Sequence, residues 1–177
     1  MHMQDMRYDQ HFAEVMQILT TRGLFLTSAA QGKTNTMIIG WGLVGSVWGK
    51  PVWTVLVRPS RYTYQFIEQS GEFTISVPGL DLERACKVCG SVSGRDRDKL
   101  AEAGLRAVPA RKVKSPVIDG CIAHYECRVL HSNDVQPGSL VQQIISGAYR
   151  NGDFHRVYWG EILASYVDAD RLAELRA

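Results

Sequence analysis

The amino-acid sequence predicts a mainly β protein, a closed or partly closed antiparallel barrel with a few short flanking helices. Three observations carry that expectation. From position 24 onward the chain is cut into short apolar runs by glycine and polar residues, the texture of strands joined by turns. These strands outnumber the helical segments and do not alternate regularly with them, which disfavours a doubly wound parallel sheet. No Gly-x-Gly-x-x-Gly follows a first strand, so the usual dinucleotide-binding fingerprint of such sheets is missing as well.

The chain opens with a helix expected over 9–20, where Phe12, Val15, Met16 and Leu19 recur at helical spacing and Gly23 supplies the stop. Strands are expected over 24–30, 36–42 and 52–58, with turns at 31–33 and 49–51. A short helix over 60–70, capped by Ser60 and closed by Gly71, leads to a strand over 72–78. Two short helices over 81–89 and 96–103 each start at an aspartate able to cap free N–H groups. Strands over 105–108, 120–131, 140–149 and 155–167 follow, with a turn at Gln136-Pro137-Gly138. The last two are separated by Asn151-Gly152, a hairpin signal. A polar helix over 170–176 ends the chain.

With 177 residues, a single domain over 1–177 with its core over about 23–167 is expected. A hydrophobic fraction of 45% with 21% charged residues, and no run near the ~18 apolar residues of a span, predicts a soluble protein with no membrane partner. The first residues lack a basic and then apolar leader pattern, so the cytoplasm is the expected location. A net charge of +2 argues against nucleic acid as a partner. The densest basic run, Arg111-Lys112-Val113-Lys114, reads as a solvated strand edge.

Four cysteines in a reducing compartment argue against a disulfide framework. Cys86 and Cys89 have Cys-x-x-Cys spacing, but no second pair completes a zinc set. On the strand over 120–131, alternation turns His124 away from Cys121 and Cys127, which stand roughly 20 Å apart at ~3.3 Å per residue. No metal site is predicted. Cys86 and Cys89 share a helix face, where packing and a redox-active pair both remain open.

Three segments are unusual for a purely structural barrel. In Lys33 to Gly42, small polar residues lead into an apolar strand with Trp41 between two glycines. In Arg58-Pro59-Ser60-Arg61-Tyr62-Thr63, a strand-ending arginine precedes a helix start whose free N–H groups favour an anion, and Arg61 adds a planar fork. In Cys89 to Lys99, Gly94 lets Ser93-Gly94-Arg95 turn its N–H groups inward as a nest, with Lys99 close behind. Read singly, the last two are equally solvated helix starts; together they point to a phosphate.

Taken in order, Asn35-Thr36-Met37-x-x-Gly40-Trp41-Gly42, Arg58 to Thr63, Gly71 to Pro78, Cys89-Gly90-x-x-Ser93-Gly94-Arg95-Asp96-x-Asp98-Lys99 and Gly160-Glu161-Ile162 resemble the flavin reductase-like, FMN-binding split-barrel family, and within it the flavoredoxin branch. That resemblance implies a Greek-key split β-barrel, usually a homodimer, with FMN near the subunit interface. By the same resemblance Asn35, Thr36, Met37 and Trp41 line the isoalloxazine. Arg58, Ser60, Arg61, Tyr62 and Thr63 surround the phosphate, and Cys89, Gly90, Ser93, Gly94, Arg95 and Lys99 complete the pocket. His155 takes the place of an Asp-His pair, although Phe154 separates it from Asp153.

Because a flavin carries the chemistry, no catalytic side chain is named. The leading expectation is an NAD(P)H-dependent reductase. It would act on bound FMN and relay electrons to an acceptor protein, or on exchanging flavin as the reductase of an oxygenase component. The alternative is an FMN-binding electron carrier reduced by a protein partner. A haem barrel with His124 or His155 as ligand is a third reading.

Overall fold

The computed structural model describes residues 2–176. Its strands and helices run β1 (Met3–Asp5), α1 (Phe12–Thr21), β2 (Leu24–Ala30), β3 (Lys33–Ile39), β4 (Gly42–Val47), β5 (Lys50–Val57), α2 (Tyr62–Ser70), β6 (Glu72–Val77), α3 (Glu83–Ser91), α4 (Lys99–Ala103), β7 (Ala107–Val108), β8 (Val117–Ile118), β9 (Ala123–Asp134), α5 (Gln142–Ala148) and β10 (Arg156–Asp168). A 3₁₀ helix over Ala169–Arg176 follows.

The main sheet is antiparallel in the order β3-β2-β6-β9-β10-β5-β4, with β1 also on β10. Chain neighbours β5 and β6 therefore lie three places apart, joined over one end through α2, which is a Greek-key path. The sheet curls until β3 returns beside β5 without hydrogen-bonding to it, so the barrel is split. Its interior is filled by Leu26, Trp53, Phe73, Ile75, Tyr125 and Tyr158, all essentially inaccessible to water. β10 slips register at Gly160, where a Cβ would lie 2.5 Å from the Phe73 ring and 2.9 Å from the Cys127 Cβ. Only glycine lets these two strands close over that ring.

α3 packs on the outer face of the sheet through a second apolar cluster of Phe25, Ala85, Cys86, Cys89, Ile118 and Cys121. Cys127 belongs to the barrel interior instead. Burial pushes the Cys86 thiol up to about 12 and the Cys89 thiol up to about 11, values at which thiolate chemistry is suppressed.

Several expectations are corrected. The segment 140–149 is not a strand: it forms α5, and Asn151-Gly152 closes no hairpin. Both edges of β10 are already taken, by β9 and β5, so no edge remains for it to pair with. Three strands were not anticipated: the short β1, the glycine-containing edge strand β4, and the two-residue β8 that pairs with β7. The run Arg111 to Lys114 is a loop, because the buried Glu126 carboxylate accepts the backbone N–H groups of Arg111 and Lys112 at 2.8 and 2.5 Å. Ser60 does not cap α2; Arg61 holds that position without a side-chain cap. α3 starts at Glu83 behind a 3₁₀ turn over Leu80–Leu82, and α4 is capped by Asp98, not Asp96. An N-cap side chain must reach the N–H three residues on, and Asp98 accepts from Ala101 N at 3.1 Å.

Candidate functional site

The split between β3 and β5 opens into a cavity of about 410 Å³. Met37 to Trp41 at the end of β3 form one wall, and Leu56 and Arg58 at the end of β5 form another. The α2 entry turn, the end of α3 with the Ser93-Gly94-Arg95 turn, Lys99 and His155 close the rest. Four cationic side chains line it, Arg58, Arg61, Arg95 and Lys99, and no carboxylate does among the described residues.

Local chemistry builds each wall. β5 ends at Val57, the chain turns with Arg61 N donating to Arg58 O at 2.9 Å, and α2 begins. No side chain caps that helix and no acidic residue stands in its first turn. The first-turn residues Tyr62 and Thr63 lie on the cavity wall, so the helix presents positive potential there. The third segment approaches from the opposite side. Arg95 Nη1 donates to Ser60 O at 2.7 Å, and the Arg95 guanidinium lies 5.4 Å from the Tyr62 ring centroid. Ser93 Oγ accepts from Arg95 N at 3.2 Å. Two turns, 35 residues apart at Ser60 and Arg95, are thereby joined by a direct hydrogen bond.

Lys99 is almost fully buried, and its ammonium donates to Cys89 O and Val92 O, both at 3.2 Å. Burial lowers its pKa. Those two carbonyls close the end of α3 and leave a third ammonium donor.

Not every expected residue stands on the wall. Asn35 lies behind it, with Nδ2 donating to Thr63 Oγ1 at 2.7 Å. A Cβ on Gly94 would meet Asn35 Oδ1 at 2.0 Å, so Asn35 supports the α2 start and requires glycine at 94. Thr36 is fully buried within the sheet, where Thr27 Oγ1 donates to it at 2.9 Å and it donates to Leu26 O at 3.3 Å. Strand alternation puts Thr36 and Met37 on opposite faces, and only Met37 reaches the cavity. The other fourteen residues expected in the pocket all line it: Met37, Trp41, Arg58, Ser60, Arg61, Tyr62, Thr63, Cys89, Gly90, Ser93, Gly94, Arg95, Lys99 and His155.

Three of them are engaged in ways the sequence did not suggest. Arg58 donates to Ala148 O and Asp153 O at 2.7 Å each and to Gly152 O at 3.3 Å, and it lies over the Tyr149 ring. Its guanidinium mainly pins the 148–153 segment. Ser60 Oγ donates to Asp153 Oδ2 at 2.5 Å. His155 is 7% exposed; its Nδ1 meets Tyr149 Oη at 2.8 Å and its ring tilts against Trp41 at 5.1 Å. Burial, aided by the nearby Arg58 charge, pushes this imidazole down to about 4. Sequence reasoning missed Leu56 on the cavity wall and, against His155, Tyr149. Tyr149 was placed on a strand, and nothing local signals a contact that only the returning chain creates.

Residues 16–175 match a family model described as a flavin reductase like domain. The chain belongs to that family. Flavoredoxin of Desulfovibrio vulgaris (Miyazaki F) is similar at 25% identity and a TM-score of 0.67, over 86% of this chain and 72% of that one. An FMN-binding domain of a flavin reductases-like enzyme from Shewanella baltica OS155 shares the fold at 21% identity, with a TM-score of 0.69 over 98% of this chain and 81% of that one. An uncharacterized protein of Archaeoglobus fulgidus is 30% identical over 139 residues, 78% of this chain. The chain spans 58% to 68% of the length of the first three curated relatives it matches. Among the described residues no helix of this flavin reductase-like domain is long and apolar enough to cross a membrane.

Proposed function

We propose that this cavity binds FMN and that the protein is an oxidoreductase drawing electrons from NAD(P)H through it. The cavity volume of about 410 Å³ falls in the roughly 300–1,000 Å³ range of small-molecule sites. Four cations without a facing carboxylate suit a phosphate monoester carrying close to two charges. Met37, Trp41 and Leu56 offer an apolar and aromatic wall for a flat ring system. The observation that carries the reading is the Arg95–Ser60 hydrogen bond, which holds both cationic, donor-rich turns on one hollow.

When bound, FMN supplies hydride and single-electron chemistry. Arg61, the first-turn amides of α2, the 93–95 turn and Lys99 would hold its phosphate, while Met37 and Trp41 border the ring. His155, tied to Tyr149 through Nδ1, is neutral at pH 7 and orders that edge of the pocket. The likeness to flavoredoxin supports relay of electrons to an acceptor protein. A cytoplasmic homodimer, with such an acceptor or an oxygenase component as partner, completes the proposal.

An absorption spectrum of the purified protein, with added FMN where none is retained, followed by anaerobic NADH or NADPH, tests it. Flavin bands that bleach with either nucleotide are expected. A protein that takes up no flavin would end the reading; one whose flavin is bleached by dithionite and by neither nucleotide is a carrier served by a protein partner.

A further inference from the structure

Beside the flavin cavity, and sharing Arg58 and Arg61 with it, lies a second hollow of about 350 Å³ walled by Gly147, Ala148 and residues 150–153. Three guanidinium groups, of Arg58, Arg61 and Arg150, border it against a single carboxylate, Asp153. Asp153 is engaged by Ser60 and Arg58 by backbone carbonyls. Arg61 and Arg150 are exposed, and no carboxylate pairs with either among the described residues. The wall itself is held in place. Gly152 and Asp153 adopt consecutive left-handed conformations, φ 74° and 55°, and the Arg58 and Ser60 hydrogen bonds secure that turn from inside.

We propose that this hollow is the subsite for the phosphates of the pyridine-nucleotide donor, with Arg150 as a residue that determines its affinity. The inference rests on the function proposed above. Such a donor must bring its nicotinamide to the flavin cavity while its pyrophosphate, and in NADPH a further 2′-phosphate, stays solvated or meets cations nearby. The one Gly-x-Gly-x-x-Gly of the sequence, Gly40 to Gly45, leads into strand β4 and not into a helix, so it offers no helix N-terminus to receive those charges, and this hollow presents uncompensated positive charge on a fixed wall next to the cavity. Arg61 borders both hollows, whereas Arg150 borders only the second, so Arg150 separates the two functions.

The test titrates NAD⁺ and NADP⁺, which cannot reduce a flavin, into the purified full-length chain with its flavin by calorimetry. Wild type, Arg150→Ala and Arg150→Lys are compared, and FMN affinity is measured in each. Arg150→Ala is expected to weaken nucleotide binding about tenfold, Arg150→Lys to recover most of it, and FMN affinity to stay unchanged. Loss for NADP⁺ alone assigns the 2′-phosphate to the hollow; equal loss for both assigns the pyrophosphate. The proposal is overturned if wild type binds neither nucleotide, if Arg150→Ala leaves both affinities unchanged, or if it weakens FMN as much as the nucleotide. A chain that takes up no flavin would sink the FMN reading, while the same titration would still decide the role of Arg150.

Discussion

His124 and His155 are both almost wholly buried, and burial pushes each imidazole down to about 4, yet their surroundings are built on opposite plans. Around His124 the named polar groups close on one another. Ser76 Oγ meets His124 Nδ1 at 3.0 Å and accepts from Ile118 N at 3.2 Å. Glu126 gathers Tyr166 Oη at 2.8 Å together with two loop amides. Around His155 the pocket wall carries cations without carboxylates, a half-exposed Trp41 and a helix start with no cap. Burial and a depressed pKa therefore do not identify the site, since both histidines have them. What distinguishes it is unmet charge and unmet donors facing an open volume, which costs stability unless a ligand meets them.

The strongest challenge to that contrast is Glu126→Ala. It strands the Tyr166 hydroxyl in the interior and two amides of the part-buried 111–112 loop, and should cost about 3 to 5 kcal/mol, read as a fall in the urea midpoint, with ligand affinity of the folded protein unchanged. A cost below about 1 kcal/mol would mean the closed region is wetter than its contacts imply.

Acid probes both regions at once. In the fold each histidine stays neutral down to about pH 4, whereas in the unfolded chain imidazoles take protons near pH 6.5. Between about pH 6.5 and 4 the unfolded state binds more protons, so stability falls as the pH falls, by at most about 1.4 kcal/mol per pH unit for each histidine. Above 6.5 this contribution is flat. His124→Asn should flatten the dependence more than His155→Asn, because His155 can be hydrated from the cavity once charged. Urea midpoints at pH 7, 6 and 5 check this, and an unchanged slope in His124→Asn would refute it.

A smaller effect separates two neighbouring arginines. Arg61→Ala should weaken FMN roughly ten- to a hundredfold and leave riboflavin binding unchanged, since only the phosphate loses a partner. Arg58→Ala should weaken both flavins, because it frees the 148–153 segment and with it Tyr149 and His155. Fluorescence titration with the two flavins distinguishes them; equal losses in Arg61→Ala would make that arginine structural. Smallest of all, Asp98→Ala removes the α4 cap and should lower stability by about 1 kcal/mol, with less than a threefold change in FMN affinity by the same titration.

Where local chemistry decides an element, the sequence was readable. Gly23 and Gly71 end α1 and α2 in left-handed conformations, and the apolar runs of β2, β5, β6, β9 and β10 became strands close to their expected bounds. The motif residues of the pocket were readable too, because strand ends, helix starts and a glycine nest are short-range features. β4 was not, since a half-exposed edge strand with two glycines lacks the alternation that marks burial. Nor was α5, whose Val141, Ile144 and Ile145 look β-prone until the edges of β10 are known to be occupied.

From its sequence alone this chain determined most of the segments that extend, and which turns carry cations and free N–H groups, for those follow from neighbours within a few residues. Only the tertiary structure decided that the two turns meet across one hollow, that Arg58 faces inward to carbonyls while Arg61 stays open, and that Asn35 supports the wall from behind. Those outcomes depend on side chains brought together from positions far apart along the chain. The direction of a guanidinium is set by whichever acceptors the folded backbone brings within its reach.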